Sequence, residues 1–392
     1  MNNILDIDIQ NKKVLIRVDY NVPIENGIVK NNFRIQQSLK TINYCLDQGS
    51  SVVLMSHMGR PDNSSRDESL SLRPVADELS KLLNKDIKFS SCCIDENSIN
   101  TSKELRPNEI HLLENLRFHN GEKRNDNDFS NQLSRHGDVY VNDAFGTAHR
   151  AHASNVGIVQ FMNQSSIGFL NMKELKYLSE KLNDPIKPYS FILGGLKVAD
   201  KIKLINNIMK SANVICIGGA MAFTFLKAKG FNIGNSYCEE SALGLAESIM
   251  NDAEKSGVEL VLPIDAVVSD DINNIQNASV KNRESFNAKD SGFDIGPKTI
   301  LLFMEMIKKS KTIVWNGPLG VAEKPVFAKG TNELAKFLND LKGASTIIGG
   351  GDTASCIYSV LPENKFSHIS TGGGSSLELL SGNKLPAFEV LS

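Results

Sequence analysis

The side chains able to do chemistry gather in short polar clusters that follow apolar runs. In the first half of the chain these are Asp19 and Asn21 in RVDYNVP, His57 and Arg60 in SHMGRP, and Arg117 in LLENLRF. A further set, Asn142, Asp143, His149, Arg150 and His152, lies in VNDAFGTAHRAH. Arg34, in KNNFRI, falls in the turn after the first strand unit. A guanidinium offers planar, forked donors that grip phosphate or carboxylate through two bonds at once, which an ammonium cannot do. One such Arg is ordinarily a solvated surface residue. Four of them, each after a separate strand, point to a shared site for a small ligand with several negative charges.

The second half repeats the layout with other residues. Its strand exits read FILGGLK, CIGGAMA, VWNGPLG, IGGGDTA and ISTGGGSS. Glycine lets backbone N–H groups approach a phosphate and reaches positive φ at low steric cost. A helix starting there adds the positive end of its dipole. One Gly-Gly turn is ordinarily a tight connection, but five in one half suit a larger phosphorylated ligand such as a nucleotide. Lys197 and Lys201 are four apart and share a face if a helix starts after Gly195. Their like charges then cost about 0.2–0.5 kcal/mol, a sign that a bound phosphate reverses. Asp352 follows three glycines and opens a helix, where it either steadies the dipole or holds Mg²⁺ through oxygen. Glu323, after the exit at Asn316, can accept from ribose hydroxyls. Two familiar nucleotide signatures, G-x-x-x-x-G-K-[ST] and G-x-G-x-x-G, are absent. The Walker loop, the protein-kinase loop and the usual dehydrogenase fingerprint are therefore not in use.

These clusters need strands to present them. Val14–Val18, Ser51–Met55, Glu109–Leu113 and Val139–Val141 read as strands. So do Tyr189–Leu193, Val214–Ile217, Glu259–Pro263, Thr312–Trp315, Thr346–Ile348 and His368–Ser370. Helical patterns lie between them, as at Leu72–Leu83, Ser241–Glu254 and Asn332–Leu341. Alternation of strand and helix predicts α/β architecture with parallel sheets, whose ligands bind beyond the carboxyl ends of the strands. A charged helical stretch, Asn171–Leu182, is a candidate connector between two domains.

The chain has 392 residues, 41% hydrophobic and 22% charged, with a formal charge of -2. That length suits two or three domains, and the charge balance argues against a nucleic-acid binder or a polybasic membrane-surface protein. Ten of the eleven Arg lie in residues 1–150, whereas 23 of the 29 Gly and 23 of the 32 Lys lie after it. Two domains with different ligands follow more readily than one repeated domain. No apolar run is long enough to span a membrane. No secretory leader is evident, and six cysteines without CxxC spacing read as free thiols of a cytoplasmic protein rather than as a zinc site or disulfide framework.

RVDYNVP, SHMGRP, LLENLRF, FGTAHRAH, ILGGLKVADKI, IGGAMAFTFLK, VWNGPLG, IIGGGDTA and HISTGGGSSLELL, in that order, resemble the phosphoglycerate kinase family from about Arg17 to Leu380. The resemblance implies two doubly wound parallel-sheet, Rossmann-like α/β domains facing across a cleft and joined by a helix. An N-terminal phosphoglycerate-binding domain, 1–170, would receive the returning segment 377–392. A nucleotide-binding domain would span 171–376. The implied reaction is reversible phosphoryl transfer from 1,3-bisphosphoglycerate to MgADP, giving 3-phosphoglycerate and MgATP, in a monomer that closes about a hinge. By the same resemblance Asp19, Asn21, Arg34, His57, Arg60, Arg117, His149 and Arg150 bind the acid. Gly195, Lys197, Lys201, Gly219, Asn316, Glu323, Gly350, Gly351, Asp352 and Thr353 bind the nucleotide. Arg34, Lys197, Lys201, Gly351 and Gly374 would act in transfer, and Asp352 would hold the metal. Ala322 and Lys324-Pro325 depart from the family's usual residues around Glu323. Two alternatives remain: a silent binding protein on this fold, which loss of Arg34, Lys201 or Asp352 would have favoured, and an oxidoreductase, which the missing G-x-G-x-x-G disfavours.

Overall fold

The computed structural model describes residues 1–61 and 67–391; residues 62–66 and Ser392, which the expected domain spans include, lie outside the described residues. The chain divides into two compact units. The first is Met1–Lys176 together with the tail from Lys384, and the second is Tyr177–Asn383.

In the first unit six strands form one parallel sheet: β1 (Lys13–Val18), β2 (Ser51–Met55), β3 (Ile87–Ser90), β4 (Ile110–Leu113), β5 (Val139–Asp143) and β6 (Ser165–Ile167), in the order β3-β4-β2-β1-β5-β6. The central strands VLIRV and SVVLM are buried along their length. Continuous burial rather than alternation is what helices on both faces of a parallel sheet impose. The helix Phe33–Asp47 buries Ile35, Ser38, Ile42 and Cys45 along one stripe, the 3.6-residue period of a helix laid on a core. The tail packs onto this unit. The Ala387 N–H donates to the Ala148 carbonyl at 3.1 Å, and Phe388 stacks on Phe145 with centroids 6.3 Å apart.

The second unit holds another six-stranded parallel sheet: β7 (Tyr189–Leu193), β8 (Val214–Ile217), β9 (Glu259–Val261), β13 (Thr312–Asn316), β14 (Ser345–Gly349) and β15 (His368–Ile369), ordered β9-β8-β7-β13-β14-β15. Its core gathers Trp315, Phe303, Ile313, Leu334 and Ile357. A small antiparallel sheet, β10 (Asp265–Ser269), β11 (Ser279–Asn282) and β12 (Ser291–Ile295), stands beside it in the sequence. The sequence patterns missed this sheet because SVKN is mostly exposed and carries no apolar run. They missed β3 and β6 for a similar reason: IKFS and SSI are short and half polar.

Three local expectations need correction. Arg34 lies in the first turn of the helix Phe33–Asp47, not in a free turn. Lys197 and Lys201 do not share an α-helical face. A 3₁₀ turn, Ala199–Lys201, comes first, and the α-helix Ile202–Ile208 starts only after it. The connector is not one regular helix either: Phe169–Leu175 is α-helical, Lys176–Glu180 is a wider π turn, and Lys181–Asn183 closes it.

Candidate functional site

Each parallel sheet reverses its winding direction once. In the first unit this happens between β1 and β5, in the second between β7 and β13. Loops diverge there and leave a crevice at the carboxyl ends of the strands, where ligands of such sheets bind. The candidate residues fall at these two places.

In the first unit β4, β2, β1 and β5 are neighbours, and their exits deliver Arg117, His57, Asp19 and His149–Arg150 to one edge. Arg34 reaches that edge from its helix: Nη1 lies 3.1 Å from Asp19 Oδ2 and donates to the Asn21 carbonyl at 3.0 Å. Asn21 Oδ1 accepts from the Gly59 N–H at 2.9 Å, and Arg117 Nη1 donates to the Gly59 carbonyl. Arg150 Nε donates to His149 Nε2 at 3.2 Å. Arg60 is exposed at the rim and helps lower the Arg150 pKa, after burial. All eight residues expected for the acid therefore belong to one linked cluster. Asn142 and Asp143 do not. Both are fully buried, and Asp143 Oδ1 accepts from the Asn171 N–H at 3.2 Å, in the helix that follows β6.

One member was not anticipated. Arg17 is fully buried at the end of β1, donates to Ser154 Oγ at 2.8 Å and lies 3.3 Å from His57 Nδ1. A lone charge inside the apolar run KVLIRV was its only signal. An Arg has no acceptor, so His57 Nδ1 must accept and the neutral ring carries its proton on Nε2. Burial first, then Arg17, Arg117, Arg150 and Arg34, holds the His57 pKa well below its ordinary value. Burial, with Arg150 and Arg17, brings even the Arg117 guanidinium down to about 10. The cluster is thus a set of mutually repelling cations around a neutral donor, an arrangement that an anion stabilises.

In the second unit the exits of β7 and β13 are bridged across the reversal. Lys201 Nζ donates to Asn316 Oδ1 at 2.6 Å, and burial lowers the Lys201 pKa to about 8 although Asp200 and Asp352 oppose it. The exit of β8 packs against that of β7. Gly219, at φ +66°, has no room for a side chain, because a Cβ would stand 2.5 Å from the Gly195 nitrogen. Beyond β14, Gly350 precedes the helix Gly351–Val360, and Thr353 Oγ1 accepts from the Gly317 N–H at 2.8 Å. Beyond β15 the helix Gly373–Leu380 begins, and a Cβ on Gly373 would lie 3.0 Å from the Gly351 nitrogen. Two helix starts, with their free N–H groups, therefore converge, and Gly374 is exposed in the first turn of the second. Lys197, Asp352 and Glu323 are exposed. Burial, then Glu323 and Asp352, raises the Cys356 thiol, so both carboxylates flank one stretch of that helix. Glu239, also unanticipated, holds the Lys197 loop by accepting from the Val198 N–H at 2.7 Å.

Among the described residues no three His, Cys, Asp or Glu side chains are grouped as a metal cage. A single exposed carboxylate, Asp352, fits a hard cation that takes most of its oxygens from a ligand's phosphates and water.

Fold and sites together define a class: two-unit parallel α/β proteins with a polycationic crevice in one unit and a glycine-lined, helix-start crevice in the other. The family model described as phosphoglycerate kinase matches residues 4–383. The phosphoglycerate kinase of Finegoldia magna is 48% identical over 388 residues, 98% of each chain, and that of Dictyoglomus turgidum is 47% identical over 386. The solved structure of phosphoglycerate kinase from Coxiella burnetii superimposes with a TM-score of 0.86 at 36% identity, covering 99% of this chain and 98% of that one. The corresponding structure from Pyrococcus horikoshii gives 0.87 at 31%, covering 100% and 98%. The chain belongs to the phosphoglycerate kinase family. It is a phosphotransferase of glycolysis and gluconeogenesis that moves a phosphoryl group reversibly between 1,3-bisphosphoglycerate and ADP.

Proposed function

We propose that the cationic crevice of the first unit binds the phosphoglycerate and that the glycine-lined exits of the second bind the nucleotide. The observation that carries this division is the set of four Arg side chains, 17, 34, 117 and 150, around the neutral His57 ring. A compact acid with a carboxylate and a phosphate offsets their repulsion; His57 Nε2–H is a neutral donor to the same anion. A nucleotide's phosphate chain needs spaced backbone donors and point charges instead. Gly350, Gly351 and Gly374 supply the former, and Lys197 and Lys201 the latter.

In the direction of ATP synthesis, an oxygen of the ADP β-phosphate attacks the acyl phosphorus, and the bond from that phosphorus to the carboxylate oxygen breaks. Both nucleophile and leaving group are anions, so no proton has to move and no general base is required. The residues' work is alignment and charge. Arg34, whose Nη1 is shared between Asp19 and the Asn21 carbonyl, neutralises charge on the transferred oxygens. Lys201 steadies the nucleotide phosphates beside Asn316, Thr353 fixes the neighbouring turn, and Glu323 accepts from the ribose. Mg²⁺ bound with the nucleotide supplies further positive charge to the phosphate oxygens, and Asp352 would hold it. Direct transfer also requires the two ligands to meet with water excluded, so closure between the units belongs to this reading.

The cytoplasm is the compartment this reading assigns. Its support is that all six cysteines are free thiols, the form a reducing compartment maintains. A monomer suffices, since both ligands find their groups on one chain.

The test is a coupled assay with 3-phosphoglycerate, ATP and Mg²⁺. Wild type turns over, and Arg34→Ala lowers kcat by roughly a hundredfold or more while KM moves little. A rise in KM alone would assign Arg34 to uniform substrate binding and refute its proposed role.

A further inference from the structure

Beneath the cationic cluster lies a carboxylate that the reaction does not call for. Glu122, in the short helix Asn120–Arg124, is fully buried. Its two oxygens accept from Ser154, Oε2 from the N–H at 3.0 Å and Oε1 from the hydroxyl at 2.7 Å. His152 Nδ1 stands 3.6 Å from Oε1. A serine hydroxyl has one proton. Having given it to Glu122, Ser154 Oγ can only accept, and Arg17 Nε donates to it at 2.8 Å. The remaining Arg17 nitrogens turn to the Val18 carbonyl and to His57 Nδ1. Every donor and acceptor in the series Glu122–Ser154–Arg17–His57 thus has one permitted direction, and the last member is left with its proton on Nε2.

We infer that Glu122 is a positioning residue for the phosphoglycerate site: through Ser154 it fixes the Arg17 guanidinium, and through Arg17 it fixes the tautomer and aim of His57. This rests on the proposal that the cluster binds the acid. The serine spacer matters. A carboxylate paired directly with Arg17 would cancel the charge the substrate needs. Set one hydroxyl away, it orients the guanidinium and leaves its field largely intact. The ionised form is the one required, because both oxygens must accept. Burial alone would neutralise the group, but His152, Arg17 and Ser154 outweigh it and keep the Glu122 pKa low. An amide in its place would point an NH₂ at one of the two Ser154 donors and break the series.

The experiment is steady-state kinetics on the full-length enzyme carrying Glu122→Gln, Ser154→Ala or both, with 3-phosphoglycerate and ATP varied separately and melting followed in parallel. We expect each single variant to raise KM for 3-phosphoglycerate ~10-fold, the scale of one lost charge-assisted bond, with KM for ATP unchanged. The double variant should be no worse than the worse single one, because both cut the same series. Nitrogen-15 spectra of the His57 ring should show Nδ1 losing its donor in both single variants. Unchanged KM for 3-phosphoglycerate in the folded variants, even at lower melting temperature, would make Glu122 purely structural and overturn the inference. Additive effects would overturn the series. Ser154→Ala leaves Glu122 and its charge in place, so it keeps the test decisive if Glu122→Gln does not fold. If Arg34→Ala and Arg117→Ala also left 3-phosphoglycerate kinetics untouched, the assignment of the acid to this cluster would fail, a result separable from failure of the Glu122 role alone.

Discussion

Charge around single residues separates the two crevices. Burial, then Arg150 and Arg17, holds the Arg117 guanidinium down to about 10, below its ordinary value. No folding requirement explains gathering such groups, since buried like charges only cost stability. Lys201 is the counterpart in the second unit. Burial brings it to about 8, so it is charged below that pH and neutral above it. Nucleotide phosphate favours the charged form and must raise the value on binding. ADP binding is therefore expected to take up protons near pH 8 and to weaken as pH rises beyond it. Calorimetry in two buffers of different ionisation enthalpy reads this directly; equal apparent enthalpies between pH 7.5 and 9 would show that Lys201 does not meet the phosphates. At this scale much of the site was legible. Arg, His and Gly-Gly at strand exits announce themselves by type and place. Arg17, Glu122 and Ser154 did not, because their meaning lies in contacts between elements remote in sequence.

Whole elements are held to the sheets by buried polar groups at strand ends. Asp143 on β5, Asp265 on β10 and Asp294 on β12 each accept backbone N–H donors from a following helix start: Asn171, Thr299 and Gly330 respectively. Burial raises Asp143 and Asp294 to about 7. A second device ties the helix Glu96–Lys103 to β4 and to the end of the helix Asn127–Ser134. His136 Nε2 must donate to the Cys93 carbonyl, so its Nδ1 accepts from Ser102, whose oxygen in turn accepts from His111 Nδ1. Burial lowers His111 to about 3 and His136 to about 4. Both are below the unfolded value near 6.5, so the stability they confer is complete above pH 6.5 and is lost as pH falls toward the folded values. Between pH 7 and 5 the loss is on the order of 2 kcal/mol per histidine. Asp143 and Asp294, raised to about 7, act in the opposite sense over the same interval, so the histidine contribution is read as a difference: in denaturant unfolding, the stability advantage of wild type over a His111→Gln/His136→Gln variant should shrink as pH falls from 7 to 5. The same pH dependence in both would remove the histidines from the account. Strand–helix alternation made most elements legible, but helix continuity was not. ILGGLKVADKI reads as one helix after Gly195, yet the regular α-helix begins only at Ile202, after a 3₁₀ turn over Ala199–Lys201, and Glu239 accepts from the Val198 and Ala199 N–H groups that lead into that turn.

For the whole molecule, the asymmetry of Arg against Gly and Lys along the chain corresponds to two units with different crevices. What composition hides is that a chain of formal charge -2 carries a concentrated basic site, since net charge sums over surfaces that never meet a ligand. The tail shows what the sequence could not place closely: it joins the first unit from Lys384, seated by Ala387 on Ala148, one residue before His149. The two ligands divide between the units, the acid to the first and the nucleotide to the second, in the function proposed above. Calorimetric titration of 3-phosphoglycerate and of ADP, each alone, into Arg117→Ala and Lys201→Ala tests this division most directly. Arg117→Ala should lose at least ~10-fold in affinity for the acid with ADP unchanged, and Lys201→Ala should do the reverse. Loss of both affinities in both folded variants, or the opposite pairing, would contradict it.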